Sequence, residues 1–372
     1  IILSTNISST QAGTVIFRVP PERRSTMSKA NEPASITCIT SSDADALSLA
    51  AEASTRNLVL ASLDPGYPTV ILANSQSSFA IHFCTNALLR VVNDRWSSLN
   101  QEQRLQLRNF AFNCFALKGP QLQRYAVNTL IKLVCLITKL AWTDDNKFHD
   151  VVSGTTKFLS HQEFSYRDLG FRLLHALVIE MQGIKIVGLQ RKGRASSMAF
   201  RDEALHTIFQ ASQRSLQELA PNADEFEEGS KEEGLLELAL ETALACLSYD
   251  FDSVGRDESS GEDHVVRLPR GWSESRDENT VGLFFELFQA RPGTRSASFA
   301  LECAGRIASV RRQVFTRKER SDLIVRLQRE TLNIMTTSQG LDDEHNFLSF
   351  CRLLGTMKGQ NFRLDEIVTR DT

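Results

Sequence analysis

The feature that most constrains this chain is a helical hydrophobic pattern that recurs in pairs. Apolar residues follow a 3.6-residue period over 99–117 and again over 120–142, and a Gly-Pro dipeptide at 119–120 separates the two stretches. Asn100 predicts an N-cap, since Gln103 follows three residues later. The first helices of the successive pairs begin near residues 100, 145, 200, 278 and 316. Extended alternating stretches are scarce, so the pattern predicts helices almost throughout.

The shorter intervals between these starts are about 40 to 45 residues, which is the period of HEAT and armadillo helix pairs. One pair cannot bury both of its apolar faces, whereas stacked pairs share a continuous core. We therefore predict an all-α, right-handed superhelical solenoid of HEAT- or armadillo-like helix pairs over residues 43–372. An earlier pair is predicted at 68–74 and 76–94, after a helix over 43–62.

The stretches between the helices define the other segments. Residues 1–42 are rich in Ser and Thr without periodicity, and we predict a disordered leader there. Insertions are expected to form surface loops near 182–199, 221–231 and 250–277. The second of these is acidic over Asp224–Glu233, which is consistent with a basic partner surface or with a solvated loop.

Composition excludes several classes of function. The formal net charge is −3, so no overall basic field attracts nucleic acid or an anionic membrane. No run of about 18 apolar residues is present that would span a bilayer. The seven cysteines are scattered without a CxxC pair, which predicts reduced, mostly buried thiols in a cytosolic or nuclear protein. We expect neither a nucleic-acid nor a membrane partner.

Two adjacent arginines, Arg311 and Arg312, lie within the stretch "ECAGRIASVRRQVFT" at 302–316. They are consistent with the start of a phosphate-binding patch. They are also consistent with the cationic C-terminal end of a second helix, where positive charge complements the helix dipole. The second interpretation requires no ligand.

The sequence shows no catalytic signature. The nearest approach to a phosphate-binding loop, "GIKIVGL" at 183–189, has Leu where lysine is needed, and the HExxH, GxSxG and GxGxxG motifs are absent. The histidines are scattered, and the "DDEH" cluster at 342–345 lies at a predicted helix N-terminus, where acidic residues are expected for dipole reasons. We therefore predict that the chain is not an enzyme and holds no cofactor or metal.

Polar residues at steps of three and four form stripes on three second helices. In 76–94 the stripe is Ser78, His82, Asn86, Arg90 and Asn93. In 120–142 it is Gln121, Arg124, Asn128, Lys132, Cys135 and Lys139. In 163–181 it is Ser165, Asp168, Arg172 and His175. Each stripe alone is consistent with a solvated face, but three neighbouring stripes of mixed charge favour a protein-binding surface.

Several segments, in order and at matching spacing, resemble a known family. They are "EQRLQLRNFAFN" (102–113), "LITKLAWTD" (136–144), "AFRDEALHTIFQ" (199–210), "CLSYDFDSVGRDESSGED" (246–263), "LPRGW" (268–272), "RIASVRRQVF" (306–315) and "FCRLLGTMK" (350–358). The chain resembles nuclear transport receptors of the importin-beta superfamily, and within them the exportin seven group with Ran-binding proteins sixteen and seventeen. The resemblance covers about 43–368, whereas residues 1–42 do not match the first helix of that family.

The resemblance implies a nuclear export receptor that shuttles between nucleus and cytoplasm. Its implied partners are the Ran GTPase in the GTP form, protein cargo, and the Phe-Gly nucleoporins of the nuclear pore. Ran and cargo would bind cooperatively, and Ran would contact the second helices. From helix geometry, the residues expected to face Ran are Asn86, Arg90, Arg124, Asn128, Lys132 and Lys139. The alternative is a HEAT-repeat scaffold with no link to Ran.

Overall fold

The computed structural model describes residues 66–182, 190–250, 268, 271–273 and 277–359. Within these ranges there are thirteen α-helices and no β-strand, so the prediction of an all-α fold built from helix pairs is confirmed. In the same ranges, no helix is long and apolar enough to cross a membrane. The predicted leader at 1–42, the helix over 43–62 and most of the loop at 250–277 lie outside the described residues.

The contacts divide the chain into two units, Ile1–Val91 and Val92–Thr372. In the first unit the structure describes α1 (Gly66–Asn74) and most of α2 (Ser78–Arg95). The boundary between the two units lies in the last turn of α2. Leu72, Ile81 and Leu88 are fully buried.

The second unit holds the remaining helices, ten of which belong to two layers. The first layer is α3 (Gln101–Lys118), α5 (Asp150–Leu159), α8 (Leu205–Leu219), α10 (Glu278–Ala290) and α12 (Arg317–Thr337). The second layer is α4 (Arg124–Ala141), α6 (Phe164–Gln182), α9 (Lys231–Leu247), α11 (Arg295–Ala308) and α13 (Glu344–Gly359). An additional helix, α7 (Gln190–Glu203), lies between the second and third pairs in sequence.

Each second-layer helix packs on the next, from α4 through α6, α9 and α11 to α13. In the first four pairs the two helices also pack on each other: α3 on α4, α5 on α6, α8 on α9, and α10 on α11. A helix in this arrangement contacts both its hairpin partner and the neighbouring pair. The core is therefore continuous from pair to pair, as expected for stacked repeats.

Local capping signals decide where several helices begin. The Asn100 side chain accepts a hydrogen bond from the Gln103 backbone N–H at 2.9 Å, and the Gln103 side chain accepts one from the Asn100 N–H at 2.9 Å. This is the capping box that the sequence predicts. Thr316 and Glu319 form a second one at the start of α12. Each box satisfies two backbone donors that a helix start leaves open.

Aromatic side chains join one helix pair to the next. The rings of Phe112 on α3 and Phe158 on α5 stack with centroids 6.1 Å apart. Trp142, which follows α4, is 1% exposed and meets the ring of Phe200 on α7 edge-on at 5.1 Å. Such contacts hold successive pairs in a fixed register because large rings bury much apolar area in a specific geometry.

Two details of the sequence analysis require correction. Residues 190–199, assigned there to a loop, are the first ten residues of α7. Gly193, Ser196 and Phe200 are buried, and their spacing of three and four gives α7 a narrow face for packing against α4 and α6. This packing face was missed in the sequence because it consists of small residues among basic ones and not of a row of large apolar residues.

The second correction concerns Arg311 and Arg312. Helix α11 ends at Ala308, so the cation in its last turn is Arg306. Val310 is fully buried, and Arg312 begins a short 3₁₀ turn ending at Val314. The two arginines therefore lie beyond the helix end.

We expect Asn100→Ala to lower the free energy of unfolding by about 1 kcal/mol, because it leaves the Gln103 N–H without its side-chain acceptor. Urea unfolding followed by circular dichroism would measure the change. Ser97→Ala, at an exposed site just before the cap, is the control and should be nearly neutral. A loss of equal size in both variants would contradict a specific role for the cap.

The cysteines allow a second test. Cys84, Cys114, Cys135, Cys246 and Cys303 are buried thiols, whereas the Cys351 thiol is exposed. Burial raises the pKa of the Cys84 thiol to about 12, so little reactive thiolate forms there. In a Cys38→Ser chain we expect one thiol, that of Cys351, to react rapidly with a disulfide reagent. Adding Cys351→Ser to that chain should remove the rapid reaction. Rapid reaction of several thiols in the native chain would contradict this.

Candidate partner-binding surface

The outward face of α4 carries three exposed polar side chains one turn apart. Arg124, Asn128 and Lys132 follow each other at steps of four and are all exposed. Their positions agree with the predicted stripe, since residues four apart lie above one another on a helix.

The same stripe is buried further along α4. Cys135 is 2% exposed and Lys139 is 4% exposed. The Lys139 ammonium donates a hydrogen bond to the Glu180 carboxylate of α6 at 3.0 Å, and this ion pair links two neighbouring pairs. Lys139 therefore stabilises the packing of α4 on α6 and is not available to a partner. Of the four charged or amide residues predicted on α4, only Arg124, Asn128 and Lys132 are open to a partner.

Helix α6 places its predicted polar residues in a half-buried row. Arg172 donates to both carboxylate oxygens of Asp168, at 2.6 and 2.8 Å, which fixes the guanidinium along the helix. His175 lies one turn further on. Burial lowers the pKa of His175, and the nearby Glu241 carboxylate partly opposes that effect. Within this row, Asp168 and Arg172 are already engaged with each other.

Two predicted residues lie in the first unit, on α2. Asn86 is half-buried. Its amide nitrogen donates to the backbone oxygen of His82 at 3.0 Å and lies 3.0 Å from the imidazole Nε2 of His82, so the side chain is fixed against its own helix. Arg90, one turn later, is exposed. Of the two, Arg90 is the one presented to solvent.

Helix α9 contributes a row of carboxylates that the sequence analysis did not single out. Glu237 and Glu241 are one turn apart and half-buried, and the Glu241 carboxylate lies 3.5 Å from the Arg295 guanidinium of α11. Burial raises the pKa of Glu237; Arg295 opposes the shift, whereas Glu233 and Glu241 add to it. Their spacing of four was visible in the sequence, but the proximity of these carboxylates to α4 and α6 was not.

The three helices form two adjoining grooves. One, of about 410 Å³, lies between Lys132 on α4, His175 and Ile179 on α6, and Leu238 and Glu241 on α9. The other, of about 730 Å³, lies between the N-terminal ends of the same helices. Arg172 lines both, so they meet at one point on α6. This surface is concave and has both apolar and charged parts, as protein-binding sites do.

The connection between α8 and α9 borders the larger groove and is tied to α10. Arg291, just beyond the end of α10, donates to the backbone oxygen of Phe226 and to the Glu233 carboxylate. Glu233 in turn accepts a hydrogen bond from the Gly229 N–H at 2.7 Å. The acidic segment predicted as a surface loop is therefore held at Phe226 and at Glu233. No group of three or more potential metal ligands occurs in the described part of the chain.

Comparison with known proteins identifies relatives of the chain. It is 32% identical over 304 residues to Exportin-7-A of Xenopus laevis, a match that covers 80% of the chain and 28% of that protein. Over 308 residues it is 30% identical to Ran-binding protein 16 of Drosophila melanogaster, covering 80% of the chain and 27% of that protein. It is 33% identical over 207 residues to Exportin-7 of Dictyostelium discoideum, covering 54% of the chain and 19% of that protein. No protein-family model matches.

The resemblance to the exportin seven group is confirmed. The chain spans about 28% of the length of the curated relatives it matches, so it is related to a segment of an exportin rather than to a whole one. The names of these relatives refer to export and to Ran binding.

The carboxylates of α9 give a test of the electrostatics. Because the pKa of Glu237 is raised in the folded chain, the folded state loses stability relative to the unfolded state as pH rises above about 4.3, the ordinary glutamate value. We expect Glu237→Gln to increase the free energy of unfolding at pH 7, and this gain to disappear near pH 4. Urea unfolding at both pH values would measure it. Glu228→Gln, at an exposed position, is the control; an equal gain there, or a destabilised Glu237→Gln, would contradict the prediction.

Proposed function

We propose that this chain is part of a nuclear export receptor that binds Ran in its GTP form together with protein cargo. The observation that supports this most is its similarity over 80% of its length to proteins named exportin-7 and Ran-binding protein 16. In this proposal the protein shuttles between nucleus and cytoplasm and makes weak contacts with Phe-Gly nucleoporins on its way through the pore.

Ran is proposed to contact the exposed polar residues of the second helices. On α4 these are Arg124, Asn128 and Lys132, and on α2 Arg90 with the half-buried Asn86 beside it. Two long cations and an amide on one face of α4 provide hydrogen-bond donors for carboxylates or backbone carbonyls of a partner. Lys139 has a supporting role in the proposal, because its ammonium is engaged with Glu180.

The mechanism requires no catalytic residue in this chain. If Ran and cargo both favour the same arrangement of the stacked pairs, each raises the affinity of the other by a coupling free energy of about 1 to 3 kcal/mol. Hydrolysis of GTP by Ran in the cytoplasm removes this coupling, and the cargo is released. The chain contributes surfaces and stiffness, and the partner contributes the chemistry.

The test is capture of purified Ran by the immobilised chain, with GTP-locked and GDP-loaded Ran in parallel. We expect selective capture of the GTP-locked form. We expect Lys132→Glu to weaken this capture at least about ten-fold, because the variant replaces an exposed cation at the proposed contact by a carboxylate, which repels acidic groups of the partner. Lys157→Glu is the matched control: it makes the same charge change on an exposed residue of α5, in the first layer.

Equal capture of both nucleotide forms, or no capture, would contradict the proposed link to Ran and favour a scaffold. Equal weakening by Lys132→Glu and Lys157→Glu would place the contact elsewhere or reduce it to a net-charge effect. Circular dichroism melting curves of both variants are needed to show that each remains folded.

A further inference from the structure

The surface formed by α4, α6 and α9 has the shape of a valley with α6 along its floor. We call the two adjoining grooves, joined at Arg172, the central groove. Adjacent packed helices have axes about 8 to 10 Å apart, so the axes of α4 and α9 lie on the order of 16 to 20 Å apart across α6. Subtracting one helix diameter of about 10 Å leaves a gap on the order of 6 to 10 Å between the walls, which admits the side-chain ridge of one further helix lying above α6.

The length of the central groove is set by the lining residues of α4. They extend from Arg124 to Cys135, which corresponds to roughly 16 Å along a helix. An occupant of matching length has about three helical turns. This is the size at which helix-in-groove recognition operates, with anchoring side chains at steps of three and four.

The floor of the groove offers an apolar anchor point. Ile179 on α6 is 51% exposed, an unusual position for a β-branched apolar residue in the second layer. Ala176 on α6 and Leu238 on α9 lie beside it in the smaller groove and are half-buried. Covering these three side chains would remove apolar area from water without ordering any long polar chain.

The two walls of the groove carry opposite charge. The α4 wall presents the cations Arg124 and Lys132, whereas the α9 wall presents the carboxylates Glu237 and Glu241, with one cation, Lys231, at its N-terminal end. Burial raises the pKa of Glu237, Arg295 partly opposes this shift, and Glu233 and Glu241 add to it, so a cation supplied by a partner would be favourable beside this carboxylate. An occupant complementary to both walls is acidic along one edge and basic along the other.

We propose that the central groove binds one amphipathic helix of a protein partner, with its apolar ridge on Ile179 and Leu238, its acidic edge along α4 and its basic edge along α9. The opposite charges of the walls fix the direction in which the helix lies, because turning it end for end exchanges its edges. The inference goes beyond the proposed function, since it requires neither Ran nor a particular nucleotide state.

The probes are four synthetic, fluorescently labelled peptides of about three to four turns with the same leucine ridge. One has a Glu edge and a Lys edge, one has two Glu edges, one has two Lys edges, and the fourth is the mixed peptide with a central proline that breaks the helix. Fluorescence anisotropy with the full chain measures binding. We expect the mixed peptide to bind at least about ten-fold more tightly than each of the others, since like charges on either wall are unfavourable.

Variants of the chain locate the binding. Ile179→Asp should weaken binding of the mixed peptide at least about ten-fold, because a charge replaces the apolar anchor. Leu117→Asp, at a leucine 73% exposed on α3, is the matched control and should leave binding unchanged. Glu237→Lys should shift the preference towards the peptide with two Glu edges, since both walls then carry cations.

Equal binding of all four peptides, or unchanged binding to the Ile179→Asp chain, would overturn the inference. So would equal binding of the proline peptide, because the occupant would then not be a helix. The two proposals can fail separately. If capture of GTP-locked Ran depends on Lys132 but the mixed peptide does not bind, the proposed function stands and the helix in the groove is rejected.

Discussion

The structure depends on one constraint, namely that a single pair of helices cannot remove both of its apolar faces from water. Helix α4 shows how the second unit meets this constraint: Leu130, Leu133, Val134 and Ile137 are fully buried, between α3 on one side and α6 on the other. Every second-layer helix that lies between two others is enclosed in the same way. The polar surface available to a partner is the part of each helix that this packing leaves exposed, and on α4 it includes Arg124, Asn128 and Lys132.

Polar groups that fall inside the enclosure are used as cross-links between pairs. Arg108, 2% exposed on α3, donates to the backbone oxygen of Lys147 at 2.6 Å and pairs with Asp150 at the start of α5. Lys139 and Glu180 do the same between α4 and α6. Removing one partner of such a pair leaves a charge in a poorly solvated place, so these contacts favour one register of the stack over others.

Much of the fold followed from local signals, whereas the site depended on contacts between distant residues. Helix periodicity and the Asn100–Gln103 capping box gave the boundaries of α3 to within two residues, because both act within one or two turns. Burial of Lys139 could not be foreseen, since it requires Glu180, forty-one residues later, to lie beside it. For the same reason the opposite charges of α4 and α9 escaped the sequence analysis: each helix shows its own charges, but only packing on α6 places them across one valley.

The attachment of the α8–α9 connection to Arg291 has a kinetic consequence. Asp224, Glu225, Glu227 and Glu228 are exposed on a segment held in place at Phe226 and Glu233, so their charges project from a fixed position and do not average over many conformations. A fixed cluster of like charge produces a directed field that guides an oppositely charged molecule before contact and weakens as salt is added. For a partner of opposite charge, such a segment would act on the rate of encounter, while the lifetime of the complex would depend on the buried contacts that form afterwards.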